Sequence, residues 1–348
     1  LSASDRPVID STGHLKEESH PHRSSWKDPM QLLLAKPDQA EHIAAFYRGI
    51  HGPEFPHQEL LDGPTLARLL QDGEVALIVA ADERKILGCG LSFPRDWNMS
   101  LEIGALSVDD VPERTLVAKA LFEGLRRLGV KKFGVAFFRA GNEVAFKRAR
   151  EIGSMAWGFR AVPGSKNLKD AELLMGFVEM GGDSVRVTPP SNTITNTPFA
   201  KRIIDSLGEA EEEMPYPSSF PVGAPRGTGS VVISGRVWPT YHSRGNYITI
   251  ENSAGRYPVA IIREFVNKVR EKGVTDIRMT VPVNHEEEIL ELLDFGFSPV
   301  SYLPGWFVRG PHRFDCMELV AGLPRIPRVT DDFMERATGR VVSELTPK

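Results

Sequence analysis

The sequence predicts an α/β (α+β) fold arranged as two similar halves in tandem. Three observations lead there. Short apolar strand-like runs alternate with amphipathic helical stretches along the whole chain. A tract rich in Pro, Gly, Ser and Thr lies near the middle, at 181–198 and 214–229. Landmarks in the first half recur in the second at a nearly constant distance: Gly129 and Gly273 differ by 144, Asn142 and Asn284 by 142, Gly153 and Gly296 by 143, Glu172 and Glu318 by 146. A length of 348 residues fits two domains of ordinary size.

The elements follow in order. Residues 1–29 are polar and read as a flexible arm without a signal-peptide core. Met30–Leu34 is a strand, and Ile43, Phe46, Tyr47 and Ile50 mark a helix. Leu66, Leu69 and Leu70 mark a second helix. Val75–Ala81 and Ile86–Phe93 flank a charged turn as a hairpin, and Leu101–Val108 is a third strand. Val117, Leu121, Leu125 and Leu128 line a helix expected to stop at Gly129. A strand at Phe133–Phe138, a helix at Asn142–Ile152 and strands at Trp157–Val162 and Ala171–Met180 complete a domain at 30–180.

A linker at 181–230 contains one helix, from Phe199 to about Glu213. The second domain, 231–325, begins with strands at Val231–Trp238 and Tyr247–Glu251 and a helix carrying Val259, Ile262 and Val266 that ends near Gly273. Strand Asp276–Val281, helix His285–Leu293, and strands Pro299–Leu303 and Phe314–Val320 follow. Tyr302, Pro304, Gly305 and Trp306 are expected to form a turn between the last two strands. Residues 326–348 form a helical tail.

Composition excludes several roles. With 42 Lys+Arg against 46 Asp+Glu there is no basic field for a phosphate backbone, so nucleic acid is not an expected partner. The longest apolar run, Val75–Ala81, is far short of the roughly 20 residues that span a bilayer, so no membrane partner is expected. Two cysteines, Cys89 and Cys316, fit buried thiols in a cytoplasmic setting. No metal site is expected; His14, His20 and His22 lie in the arm.

The order of elements, the stretch Glu102-Ile103-Gly104-Ala105-Leu106-Ser107-Val108 leading through Pro112 into a helix, and Asn142 with Ala145 before a Gly-containing bend resemble the GCN5-related N-acetyltransferase (GNAT) superfamily. In the second half Val283-Asn284, Asp294-Phe295-Gly296-Phe297 and Asp315-Cys316-Met317-Glu318-Leu319 carry the same resemblance. It implies two mixed, mostly antiparallel sheets flanked by helices, each splayed to admit acyl-CoA, and halves that pair as an internal pseudo-dimer. It implies transfer of an acetyl or other acyl group from acetyl-CoA or another acyl-CoA to an amine on a small molecule or peptide. A binding or scaffold module that has lost the cofactor, and a CoA-dependent decarboxylase, are the alternatives.

The resemblance also implies site residues. The backbones of Leu106 and Val108 would pair with the pantetheine arm. The family's phosphate turn, Arg/Gln, two residues, Gly, one residue, Gly/Ala, falls on Glu113, Leu116 and Ala118, or one residue later on Arg114, Val117 and Lys119, so the glycine is missing. Arg114, Thr115 and Ala118 would face the diphosphate. The second half offers Tyr257, Ala260 and Ile262 there, again without glycine, beside Gly255-Arg256.

Glu102 stands eleven residues before Glu113, where one branch of the family carries its base; the other reading is a solvated strand carboxylate. The equivalent of Glu102 is Asn246, which leaves Tyr241, His242 and Glu251 as second-half candidates. Asn142 is expected to lie near the pantetheine or to cap a helix.

Overall fold

The computed structural model describes residues 30–55, 57–83, 85–151, 153–160, 171–178, 184–208, 215–216, 237–242, 246–253, 258–274, 276–322 and 333–345. The arm at 1–29 with its histidines, much of the 181–230 linker and the Gly255-Arg256 turn lie outside them. The chain falls into two compact units. One runs to Arg95 and takes up Leu101–Lys132; the other comprises Asp96–Ser100 and the chain from Phe133 onward.

The first unit contains β1 (Gln31–Leu34), α1 (Ala40–His51), α2 (Gly63–Gln71), β2 (Ala76–Ala81), β3 (Ile86–Arg95), β4 (Ser100–Val108) and α3 (Arg114–Phe133). Its strands lie side by side in chain order. The expected β2–β3 hairpin is antiparallel, with Leu77 opposite Leu91 and Val79 opposite Cys89. Asp82 closes its turn by accepting from the Lys85 N–H at 2.8 Å. Leu77, Val79, Cys89 and Leu91 share a core with Ile43 and Tyr47 of α1 and Leu66 and Leu69 of α2. The opposite face takes α3 at close range: a Cβ on Gly88 would stand 2.8 Å from Leu121 Cδ1, and one on Gly90 would stand 2.6 Å from Leu125 Cδ1.

α3 runs past Gly129 to Phe133, so the expected stop at Gly129 is wrong. The glycine with the left-handed backbone that ends a helix is Gly134, at φ 71°. An interior glycine costs a helix only about 1 kcal/mol, and the buried row Val117, Leu121 and Leu125 outweighs it.

The second unit contains β5 (Val135–Ala140), α4 (Glu143–Glu151), β6 (Met155–Arg160), β7 (Glu172–Val178), β8 (Val185–Arg186), α5 (Pro198–Ser206), β9 (Val237–His242), β10 (Tyr247–Ser253), α6 (Val259–Glu271), β11 (Asp276–Pro282), α7 (Glu286–Phe295), β12 (Phe297–Arg309), β13 (His312–Ala321) and α8 (Phe333–Leu345). The strand order is β5-β7-β6-β12-β13-β11-β10-β9, with β8 beside β13. Of the pairings with a defined register, β10–β11 and β8–β13 are parallel and the others antiparallel. The sheet is therefore mixed and mostly antiparallel, as expected. β9 is the outermost described strand and carries Pro239 opposite Ile250.

One arrangement occurs twice within this unit. Strand, helix, strand, strand with the third strand in the middle describes β5-α4-β6-β7 and again β11-α7-β12-β13. The registers match as well. Val135↔Val178 through Ala140↔Leu173 becomes Ile277↔Ala321 through Pro282↔Cys316 on adding 142 to the first strand and 143 to the last. The second strand of each set, β6 and β12, carries an irregularity at the same place, between Ala156 and Gly158 and between Pro299 and Ser301. In this register Glu172 corresponds to Asp315, so the pairing of Glu172 with Glu318 at offset 146 is out of step by three residues.

β6 and β12 meet antiparallel at Gly158 and Ser301. The Ser301 hydroxyl donates to the Phe159 carbonyl at 3.2 Å. Trp157, Phe137, Leu174, Met279, Leu292, Trp306 and Phe314 belong to the core on which these strands pack.

The expected turn at Tyr302–Trp306 is instead a bulge inside β12, marked by a register shift between Leu303 and Phe307. The chain reverses later, at Gly310-Pro311. Asp315 holds the bulge in place: it accepts from the Gly305 N–H at 2.8 Å and from the Tyr302 hydroxyl at 2.6 Å. It also pairs with Arg186 at 2.8 Å.

Arg313 explains why Asp96–Ser100 belongs with this unit. Fully buried, its guanidinium donates to the carbonyls of Gly305 at 2.9 Å and Asn98 at 3.2 Å, and to those of Met99 and Phe133. Burial brings its pKa down to about 10.

Candidate functional site

β4 begins with ordinary alternation. Leu101 and Ile103 are buried, while Glu102 and Gly104 occupy the other face. At Ala105 the backbone turns to φ 45°. The alternation breaks there: Leu106 is 36% exposed, and Ser107 and Val108 are buried in succession. The Tyr47 hydroxyl, on buried α1, donates to the Ala105 carbonyl at 2.9 Å. Burial holds the Tyr47 pKa well above its usual value, so it stays a donor. A left-handed alanine costs about 1 kcal/mol. Ala105→Gly is therefore expected to stabilise the protein by about that amount in urea unfolding, a gain that would vanish if the Tyr47 contact needs the methyl group.

The face of β4 that carries Glu102 looks toward α1 and α2. A Cβ on Gly104 would lie 3.7 Å from the Phe93 ring, and Phe93 packs against the α1–α2 core. Glu102 is held in a close ion pair by Arg95, the last residue of β3. Farther along, Ser107 Oγ lies 2.6 Å from His51 Nε2 at the end of α1. Phe55 stacks on the His51 ring at 4.1 Å and 8°, and His57 lies 5.5 Å from Phe55 and 6.1 Å from Phe93. Glu59 pairs with His57 at 3.1 Å. Partial desolvation moves the His51 pKa below its ordinary 6.5.

β4 leads directly into α3, and several amides there already have partners. The Arg114 N–H donates to Val111 O at 3.0 Å, and Leu116 N–H to Glu113 O at 2.8 Å. Arg114, Thr115, Leu116 and Lys119 are exposed, Ala118 is half-buried, and Leu116 stands out at 51% exposure. Glu113 caps the helix through its carbonyl, accepting from Val117 N–H at 3.1 Å.

Glu102, Leu106, Val108, Arg114, Thr115 and Ala118 thus share one strand and helix of the first unit. Asn142, Tyr241 and His242 lie in the second unit. Asn142 caps α4, accepting from the Ala145 N–H at 2.9 Å. Tyr241 and His242 are neighbours within β9 and so point to opposite faces. The Tyr241 hydroxyl donates to Asn246 Oδ1 at 3.1 Å, and Asn246 donates to Gly273 O at 3.2 Å. His242 contacts Thr249 Oγ1 at 3.0 Å and stacks on Tyr247 at 4.3 Å. Burial, then Arg278, lowers the His242 pKa. Ile262 is fully buried in the core beneath α6.

Cys89 and Cys316 are buried free thiols whose pKa values are raised chiefly by burial. Among the described residues no group of three or more His, Cys, Asp or Glu side chains is placed to hold a metal, and no helix is long and apolar enough to cross a membrane.

Sequence reasoning gives no site role to Tyr47, His51, Phe55, His57, Phe93, Arg95 or Ser107. The one local signal is a His/Gly/Pro-rich connection, His51 to His57, after an amphipathic helix. Its partner Ser107 is 56 residues away from His51.

No protein-family model and no curated protein sequence matches the chain. Among solved structures it is similar to a ribosomal-protein-S5-alanine acetyltransferase from Vibrio fischeri, at 16% identity and TM-score 0.36, over 43% of this chain and 93% of that one. An acetyltransferase of the GNAT family from Streptococcus pneumoniae is similar at 15% identity and TM-score 0.37, over 44% of this chain and 100% of the other. An aminoglycoside 6'-N-acetyltransferase complexed with coenzyme A is similar at 10% identity and TM-score 0.35, over 43% of this chain and 98% of its own.

Proposed function

We propose that the chain transfers an acyl group from acyl-CoA to an amine of a small molecule or peptide, with the chemistry seated on β4 and α3. The observation that carries this reading is the break in β4 at Ala105. The left-handed residue breaks the in/out alternation over Leu106–Val108 and leaves Leu106 exposed, and an extended amide-bearing arm such as pantetheine would lie there. Gly104 beside Glu102 leaves bare backbone where a planar thioester needs close approach. When bound, acyl-CoA supplies an activated carbonyl; the protein's part is to hold it, orient the amine and accept a proton.

The helix start fits a diphosphate through side chains rather than through a cradle of amides. The Arg114 and Leu116 N–H groups are already engaged, and Glu113 places a carboxylate near the helix N-terminus. Contact with the phosphates therefore falls to Arg114, Thr115 and Lys119. Acetyl-CoA is expected to bind with saturable heat in calorimetry. Replacing Arg114 and Lys119 together by alanine is expected to weaken it about tenfold and to flatten its salt dependence. Absence of both heat and thermal stabilisation at millimolar acetyl-CoA would sink the proposal.

That outcome would favour a second reading, a binding module without cofactor, which the engaged amides and Glu113 support. The matching registers of β5-α4-β6-β7 and β11-α7-β12-β13 support the further proposal that two GNAT-like copies stand in tandem. The β6–β12 pairing supports their association as an internal pseudo-dimer.

A further inference from the structure

We infer that His51, held by Ser107, is the base that takes the proton from the acceptor amine. This rests on the acyl-transfer reading and names a residue for the step that reading leaves open.

An amine arrives largely as an ammonium ion, so the site needs a side chain with an available lone pair at neutral pH. Glu102 is the residue expected from sequence, but its carboxylate is engaged by Arg95. Tyr241 and His242 are tied into the β9–β10 hairpin. His51 stands on the same side of β4 as Glu102 and Gly104, with its residue exposed and one nitrogen fixed.

The fixing is a two-point clamp between α1 and β4. Tyr47 and His51 are four residues apart on the helix, a rise of about 6 Å. Ala105 and Ser107 are two apart on the strand, about 6.6 Å. The two spacings agree, so Tyr47 reaches Ala105 O at 2.9 Å while His51 reaches Ser107 Oγ at 2.6 Å. Phe55 lies flat against the imidazole and limits its rotation. With the ring proton on Nε2 and donated to Ser107 Oγ, Nδ1 keeps the lone pair. Partial desolvation, which keeps His51 neutral at pH 7, agrees with this role. Other titratable groups on this side include Tyr47 on α1, His57 and Glu59 before α2, Cys89 and Arg95 on β3, and Glu102 on β4.

The step balances. One ammonium proton passes to His51 Nδ1, and the freed amine nitrogen forms the C–N bond as the thioester C–S bond breaks. The second N–H proton leaves with the thiolate as CoA thiol, and His51 returns its proton to water.

The test is thiol release from acetyl-CoA with n-butylamine and phenethylamine at saturating amine, across pH 5.5–9.5. The wild-type kcat is expected to rise with pH along an acidic limb set by His51. His51→Gln is expected to lose about 100-fold in kcat and to lose that limb, with acetyl-CoA affinity in calorimetry unchanged. Ser107→Ala is expected to lower kcat about tenfold and displace the limb, and Ser107→Thr to restore both. Wild-type behaviour in His51→Gln, or loss of the limb in Glu102→Gln in place of His51→Gln, overturns the inference and leaves acyl transfer standing. Failure of the wild-type protein to bind acetyl-CoA or release thiol overturns both.

Discussion

Gly158→Ala is expected to cost about 3 kcal/mol or more. At φ 144° an L-residue is strained by about 1–3 kcal/mol. The added Cβ would stand 2.1 Å from Val300 O and 2.6 Å from Ser301 Cα. Both obstacles are backbone and neither can rotate away. Retreat of the strand would break the Gly158–Ser301 pairing that joins β6 to β12, so overpacking adds to the strain. Urea unfolding measures the loss, with Gly153→Ala as control. Gly153 also has positive φ, 78°, but a Cβ there meets nothing within 4 Å. Its replacement should cost only about 1 kcal/mol. Equal losses at the two positions would show that strain alone, and not the joint between β6 and β12, makes Gly158 necessary.

Asp315→Ala is the second severe change. The carboxylate is fully buried and satisfies four donors: Arg186 through Nη2 at 2.8 Å and Nε at 3.4 Å, the Tyr302 hydroxyl and the Gly305 N–H. Removing it leaves the Arg186 cation buried without its counter-charge, a loss of about 3–5 kcal/mol. Tyr302→Phe removes one charge-assisted hydrogen bond and is expected to cost about 1.5–3 kcal/mol. If both variants unfold at the same urea concentration, the bulge rather than the ion pair is what Asp315 secures. The network also sets a pH limit. Burial, followed by the charge of Asp315, raises the Tyr302 pKa well above 10.0. The stability tied to its neutral hydroxyl is complete below pH 10 and is lost as pH rises through the higher folded value.

Periodicity locates the amphipathic helices because each packs a single apolar face, as Ile262 and Val266 show for α6. The β2–β3 hairpin, buried on both faces, is legible instead as two continuous apolar runs around a charged turn. Glycine and proline mislead where packing overrides their local preference. Gly129 reads as a helix stop yet lies inside α3, and Pro304-Gly305 reads as a turn although Asp315 holds it as a bulge. The tandem offset is legible because strands of one register preserve spacing. Glu172 and Glu318 misalign because identity of residue type carries no information about register.

Of the candidate site, β4 and the α3 start are legible as a contiguous stretch. The break at Ala105 is invisible, since alanine carries no bias toward positive φ. The His51–Ser107 contact is equally hidden, because only the crossing of α1 over β4 brings together residues so far apart in sequence.

Pro239 in β9 has a consequence for solubility. The pairing of β6 with β12 adds one set of strands to another edge to edge, a process that could in principle continue from molecule to molecule. A proline is tolerated in a sheet where its nitrogen faces away from the neighbouring strand. Among the described residues β9 has β10 on one side and no strand on the other, so at Pro239 an incoming strand would find no hydrogen to accept. The same edge-to-edge joining that builds the molecule is thereby discouraged at this end from building a fibre.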